Sequence, residues 1–121
     1  MSFIKTASGL EYRDDVVGEG REAGKKAPSV TVHYTGWIQN PDGSPGEKFD
    51  CSRERQEPLV FPLGAGYLIR GWEEGLQTMR EGGRRTLRIP SRLGYGSAGA
   101  GDDIPPHADL IFDIELLKLD A

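Results

Sequence analysis

A chain of 121 residues, 36 % apolar and 28 % charged, is sized for one soluble domain with its own core and is not a disordered composition. Its formal net charge of −4 argues against nucleic acid as the main partner. One cysteine, Cys51, excludes an intrachain disulfide and a cysteine-based metal centre.

The opening Met1-Ser2-Phe3-Ile4-Lys5-Thr6 lacks the long apolar stretch of a signal peptide, and no apolar run approaches membrane-spanning length. A cytoplasmic monomer with no membrane or nucleic-acid partner is expected. No repeat and no linker divides the chain, so residues 1–121 are read as one domain, with 1–17 as an extension or first strand. In chain order, Val30-Thr31-Val32-His33-Tyr34-Thr35 is rich in β-branched and aromatic residues and reads as a strand. Residues 39–46 form a turn cluster, and short strands are expected at Lys48–Asp50 and Leu59–Phe61. A helix starts near Arg70, where Trp72, Leu76 and Met79 share one face. Glu73 and Glu74 suit the positive end of its dipole, and Gly82-Gly83 is expected to end it. Arg85, Leu87 and Ile89 alternate with Arg84, Thr86 and Arg88 in a strand with one wet face. A loop at 91–106 is long enough to suggest function. In the last strand Leu110, Phe112, Ile114 and Leu116 share a face, opposite Asp113 and Glu115. The inventory is an α+β domain, an antiparallel sheet of about five strands with one covered face and one short helix.

No conventional catalytic set stands out. His33 and His107 lie in no metal-binding pattern and are read as structural. Cys51 is read as a small buried thiol, and Arg84, Arg85 and Arg88 as a solvated strand face. Gly94-Tyr95-Gly96-Ser97-Ala98-Gly99 precedes no helix and lacks the Lys-Ser/Thr pair of a phosphate loop. The informative feature is a set of aromatics at element ends: Tyr34, Phe49, Phe61, Trp72, Tyr95 and Phe112. Core packing accounts for part of them, and an aromatic-lined pocket is the sharper reading.

Val32-His33-Tyr34-Thr35-Gly36, Lys48-Phe49-Asp50, Ile69-Arg70-Gly71-Trp72-Glu73-Glu74-Gly75, Gly94-Tyr95-Gly96 and Ile104-Pro105-Pro106-His107-Ala108 resemble, in order, the signatures of FKBP-type peptidyl-prolyl isomerases. The likeness runs from about Gly18 to Leu119. It implies a twisted antiparallel sheet wrapped around the helix, with a pocket between them floored by Trp72. It implies that Tyr34, Phe49, Asp50, Phe61, Tyr95 and Phe112 line the pocket, with Leu68 and Ile69 at the rim and Ile104 from the flap loop at 91–106. Arg55 would pair with Asp50, and the Ile69 N–H and Tyr95 hydroxyl would bind ligand carbonyls. Tyr34, Asp50, Tyr95 and Phe112 would carry turnover, with no cofactor and no metal. The implied partners are proline-containing peptides, unfolded or folded protein clients, and macrolides of the tacrolimus and rapamycin type.

The sequence departs from the best-known members at Leu59, at Ala100, at Asp102-Asp103 and in the longer turn at 39–47. These bear on affinity and substrate preference. Two other functions compete: a proline-peptide binding module without turnover, and a folding chaperone. Retention of Tyr34, Asp50, Trp72, Tyr95 and Phe112 favours the enzyme. The direct passage from Tyr95 to Ile104, without an inserted domain, disfavours the chaperone.

Overall fold

The computed structural model describes residues 2–120. Its strands are β1 (Ile4–Lys5), β2 (Glu11–Val16), β3 (Ala27–Gln39), β4 (Pro45–Cys51), β5 (Leu59–Leu63), β6 (Arg84–Ile89) and β7 (Leu110–Asp120), with one helix, α1 (Arg70–Gly75). They form one antiparallel sheet in the order β1-β2-β6-β7-β3-β4, and β5 joins the same edge of β3 as β4. The expected α+β architecture is present, with seven strands instead of about five. The two extra strands carry no apolar alternation. In β2 (Glu-Tyr-Arg-Asp-Asp-Val) only Tyr12 packs against the core, and the ladder to β6 holds the strand in place.

β7 explains the core. Leu110, Phe112, Ile114 and Leu116 are buried on the inner face, together with Leu87 and Ile89 of β6 and Val30 and Val32 of β3. A register shift opposite Thr31/Val32 then changes the parity, so that Leu117 faces solvent and Leu119 is buried. Each such side chain stabilises the fold by roughly 1.5–3 kcal/mol. α1 lies directly on this face because Gly71 and Gly75 point at it. A Cβ on Gly71 would stand 2.6 Å from Ile89 Cγ2, and one on Gly75 would stand 2.8 Å from Leu87 Cδ1.

Two expectations are corrected. The helix ends at Gly75 instead of near Gly82, although Leu76 and Met79 are buried as the periodicity requires. The backbone beyond it is engaged elsewhere: Gly24 N–H donates to Gln77 O, Ala23 N–H to Met79 O, and Glu22 bridges to Arg80. Arg85 is not on the solvated face but only 5 % exposed. Its guanidinium binds Asp14 Oδ1 at 2.7 Å, Thr78 Oγ1 at 2.7 Å and the Gly75 carbonyl at 2.8 Å, so it caps the end of α1.

The outer face is of a different kind. Ion pairs Arg84–Asp113 (2.6 Å), Arg13–Asp15 (2.8 Å) and Arg88–Glu11 (3.5 Å) cross it, as does Arg53–Glu115. Arg88 lies 3.9 Å from the centre of the Phe3 ring and Arg13 4.9 Å. Among the described residues no helix is long and apolar enough to cross a membrane.

Candidate active site

The site grows from the middle of β3. Tyr34 projects from this strand, and the register sets Gly36 against Phe112 of β7. Gly36 is required by crowding: a Cβ there would stand 2.7 Å from both Phe112 Cε1 and Phe49 Cζ. Without it, Phe49 and Phe112 meet edge to face at 5.6 Å and 87°. Trp72, carried by the first turn of α1, meets Tyr34 at 5.1 Å and Phe112 at 5.2 Å, both near perpendicular. Such pairs hold one another's orientation by quadrupole contact as well as burial. They wall a cavity of about 200 Å³ lined by Tyr34, Phe49, Asp50, Leu59, Tyr67, Leu68, Ile69, Trp72, Tyr95 and Phe112. The indole N–H of Trp72 is buried with no acceptor among the described residues.

One polar node interrupts the apolar wall. The Tyr34 hydroxyl donates to Asp50 Oδ2 at 2.5 Å, and the Arg55 guanidinium donates to Oδ1 of the same carboxylate. A second Arg55 nitrogen donates to the Tyr34 hydroxyl at 3.2 Å, which closes the triangle. Burial, and then the hydrogen bond to Asp50, raise the Tyr34 phenol above its ordinary value. Burial and the Asp50 charge raise Tyr95 in the same direction. Both phenols therefore stay protonated through the neutral range.

The rim is a turn between β5 and α1. Glu73, in the first turn of α1, suits the helix dipole, and its carboxylate also holds the rim. It accepts the N–H groups of Gly64 at 2.8 Å and Gly66 at 3.3 Å, which fastens the turn bearing Tyr67, Leu68 and Ile69. The Ile69 carbonyl accepts the Trp72 and Glu73 N–H groups, while its own N–H has no partner among the described residues.

The structure gathers most of the expected site residues but sorts them. Tyr34, Phe49, Asp50, Leu68, Ile69, Trp72, Tyr95 and Phe112 line the cavity. Arg55 stands beside it through Asp50. Phe61 is buried behind Trp72 at 5.9 Å and does not line the cavity, and neither does Ile104, which is 5 % exposed in the core and paired with Ala100. Tyr67 was missed. It is 76 % exposed at the lip, and an aromatic between Gly66 and Leu68 was its only signal. Cys51 is half-buried, not buried as expected. The Thr35 hydroxyl lies 3.2 Å from its sulfur, and this contact lowers the thiol's pKa. His33 faces away from the pocket onto Ser52, and exposed His107 sits at φ +61° with its backbone N–H on Gly96 O.

A sequence model of the family described as FKBP-type peptidyl-prolyl cis-trans isomerase matches residues 20–117. The FK506-binding protein of Neisseria meningitidis serogroup B is 53 % identical over 111 residues, covering 92 % of this chain and 96 % of that one. FK506-binding protein 2 of Dictyostelium discoideum is 42 % identical, with 95 % and 80 % covered. The crystal structure of AtFKBP13 superposes with a TM-score of 0.86 at 38 % identity, covering 99 % of this chain and all of the other. That of FkpA from Escherichia coli gives 0.85 at 41 % identity, covering 98 % of this chain and 51 % of the other.

Proposed function

Because the chain belongs to the FKBP-type peptidyl-prolyl cis-trans isomerases and is an enzyme of that activity, we propose that its aromatic cavity receives the prolyl ring of protein clients and so assists their folding. In the same proposal, macrolides of the tacrolimus and rapamycin type occupy that cavity and inhibit. The name borne by the Neisseria relative supports this second part.

The reaction needs little conventional chemistry. The amide C–N bond resists rotation with a barrier of about 18–20 kcal/mol, and X–Pro exchange takes roughly tens to hundreds of seconds unaided. No covalent bond is made or broken. At the transition state the amide is twisted, its resonance is lost, and its carbonyl is less charge-separated. Water favours the planar, polar ground state. An apolar cavity withdraws that advantage while the twisted state loses less. Trp72 and Phe112 receive the ring in this reading, and the Ile69 N–H and the Tyr95 hydroxyl hold carbonyls of the substrate. Asp50, fixed by Tyr34 and Arg55, sets the field beside the rotating carbonyl. The observation that carries this is the combination of four perpendicular or tilted aromatic walls with a single anchored carboxylate. The relevant compartment in this reading is the cytoplasm, and cell fractionation tests it.

A protease-coupled assay on a short Xaa-Pro peptide, run with and without tacrolimus, tests the proposal. Catalysed exchange that tacrolimus suppresses is expected. Leu59 at the wall and Asp103 in the flap weaken that inhibition relative to relatives with an aromatic and an apolar residue there. Exchange at the uncatalysed rate, or no heat of binding at high micromolar tacrolimus, would sink it.

A further inference from the structure

β3 changes partners along one edge. Residues 35–39 pair with β4 and residues 27–32 pair with β5, so His33 and Tyr34 lie at the gap between the two. Tyr34 is the residue on which the polar node of the cavity is built. An unpaired backbone there would leave its ring loosely aimed.

Ser52 fills the gap. It is 0 % exposed, follows the last residue of β4, and grips both backbone groups of Tyr34. Its N–H donates to Tyr34 O at 3.0 Å, and its hydroxyl oxygen accepts the Tyr34 N–H at 2.8 Å. In an ordinary ladder the Ser52 carbonyl would take that N–H. Here the carbonyl is occupied by the Glu57 N–H at 3.1 Å, because the chain has already turned back. The side chain therefore substitutes for the carbonyl. The hydroxyl also meets His33 Nδ1 at 2.8 Å from the outer face, and Tyr34 O lies within 3.3 Å. With one lone pair of Oγ taken by Tyr34, these contacts fix its rotamer in either hydrogen arrangement.

The same turn carries Arg55. Asp50 stands two residues before Ser52 and Arg55 three after it, so the segment that Ser52 pins to the Tyr34 backbone also bears both partners of the Tyr34 hydroxyl. We propose that Ser52 is a positioning residue of the isomerase site, which aims the Tyr34 hydroxyl at Asp50 by replacing a missing strand carbonyl. This rests on the assignment of the cavity as the isomerase site.

Ser52→Ala tests it through two readouts. In amide exchange, the Tyr34 N–H is expected to exchange at least tenfold faster relative to Val32 and Ile114, beyond any uniform change from lost stability. In turnover, kcat/KM is expected to fall about fivefold to tenfold in the natural background and less than twofold in a Tyr34→Phe background, because coupled groups are non-additive. Ser52→Cys keeps the size and a weak acceptor, and is expected to recover part of both losses. It also serves if the alanine variant does not fold. An unchanged Tyr34 exchange rate, or the same fold-loss in both backgrounds, overturns the proposal. Absence of turnover in the natural protein would instead overturn the isomerase reading, and the exchange measurement still decides whether Ser52 holds Tyr34.

Discussion

The two faces of the sheet are made from the same strands and do opposite things. On the inner face of β7, Leu110, Phe112, Ile114 and Leu116 are buried in the core, and Phe112 meets Trp72 of α1 in the wall of the aromatic cavity. On the outer face of the same strand, Asp113 holds Arg84 of the neighbouring β6 and Glu115 holds Arg53 of the turn after β4, in contact with solvent. Charge pairs in water are worth about 0–1 kcal/mol each, whereas buried large side chains are worth several times that. Function and stability therefore share the inner face, and the outer face is free to carry charge.

The most damaging test of this contrast is Trp72→Ala. Trp72 belongs both to the core and to the cavity, so a loss of about 3–5 kcal/mol is expected together with loss of turnover. Denaturant unfolding measures the first, and an unchanged midpoint would mean that the inner face does not bear the load. Gly75→Ala follows. Helix propensity alone would favour alanine by about 1 kcal/mol. The new methyl meets Leu87, however, and a net loss of about 1–2 kcal/mol is expected from overpacking. A gain in stability would show that α1 can shift away from β6.

Asp50→Leu separates the two roles of the inner face. The carboxylate is partly exposed, so the fold should survive with about 1 kcal/mol lost, while kcat/KM drops about tenfold or more as the Tyr34 hydroxyl and Arg55 lose their acceptor. Full activity in a folded variant would remove Asp50 from the mechanism. The phenols sharpen the point through pH. Tyr34 and Tyr95 hold their protons more tightly in the folded protein than in the unfolded chain. Their contribution to stability is thus complete below pH 10, the ordinary phenol value, and is lost as pH rises through the higher folded-state values. Because neither turnover nor the node requires a proton to move, kcat/KM should be flat from about pH 6 to 9. A bell-shaped profile whose acid limb disappears in His33→Gln would restore acid–base chemistry. The smallest effect belongs to the outer face: Arg84→Ala should cost about 0–1 kcal/mol, less still at high salt.

Particular residues show how far the sequence could be read. The alternation along β7 and the start of α1 were visible because burial imposes a period on them. The cavity residues were reachable through motif resemblance, and the pairing of Asp50 with Arg55 came with it. Arg85 was misplaced because an arginine's burial depends on partners far along the chain, here Asp14 and the end of α1. The early stop of α1 was hidden for the same reason, since residues 22–24 claim the backbone that would have continued it. Ser52 left no trace at all. Its role exists only because two edge strands fail to meet, and no local pattern encodes a gap between β4 and β5.

The place of β7 has a kinetic consequence. It lies between β6 and β3, and its residues 110–120 pair with residues 29–38 across most of the chain length. Nothing local can stand in for it: β6 and β3 do not pair with each other, and only β7 joins them into one sheet. The entropy of closing so long a loop must be met before the ladder begins to repay it. Such a topology is expected to fold in milliseconds to seconds, not microseconds, and a stopped-flow chevron on variants of the β3–β7 ladder tests whether that ladder forms in the transition state. Substitutions at Ile114 or Val32 should therefore slow folding, whereas those in β1 or at the rim turn should chiefly hasten unfolding.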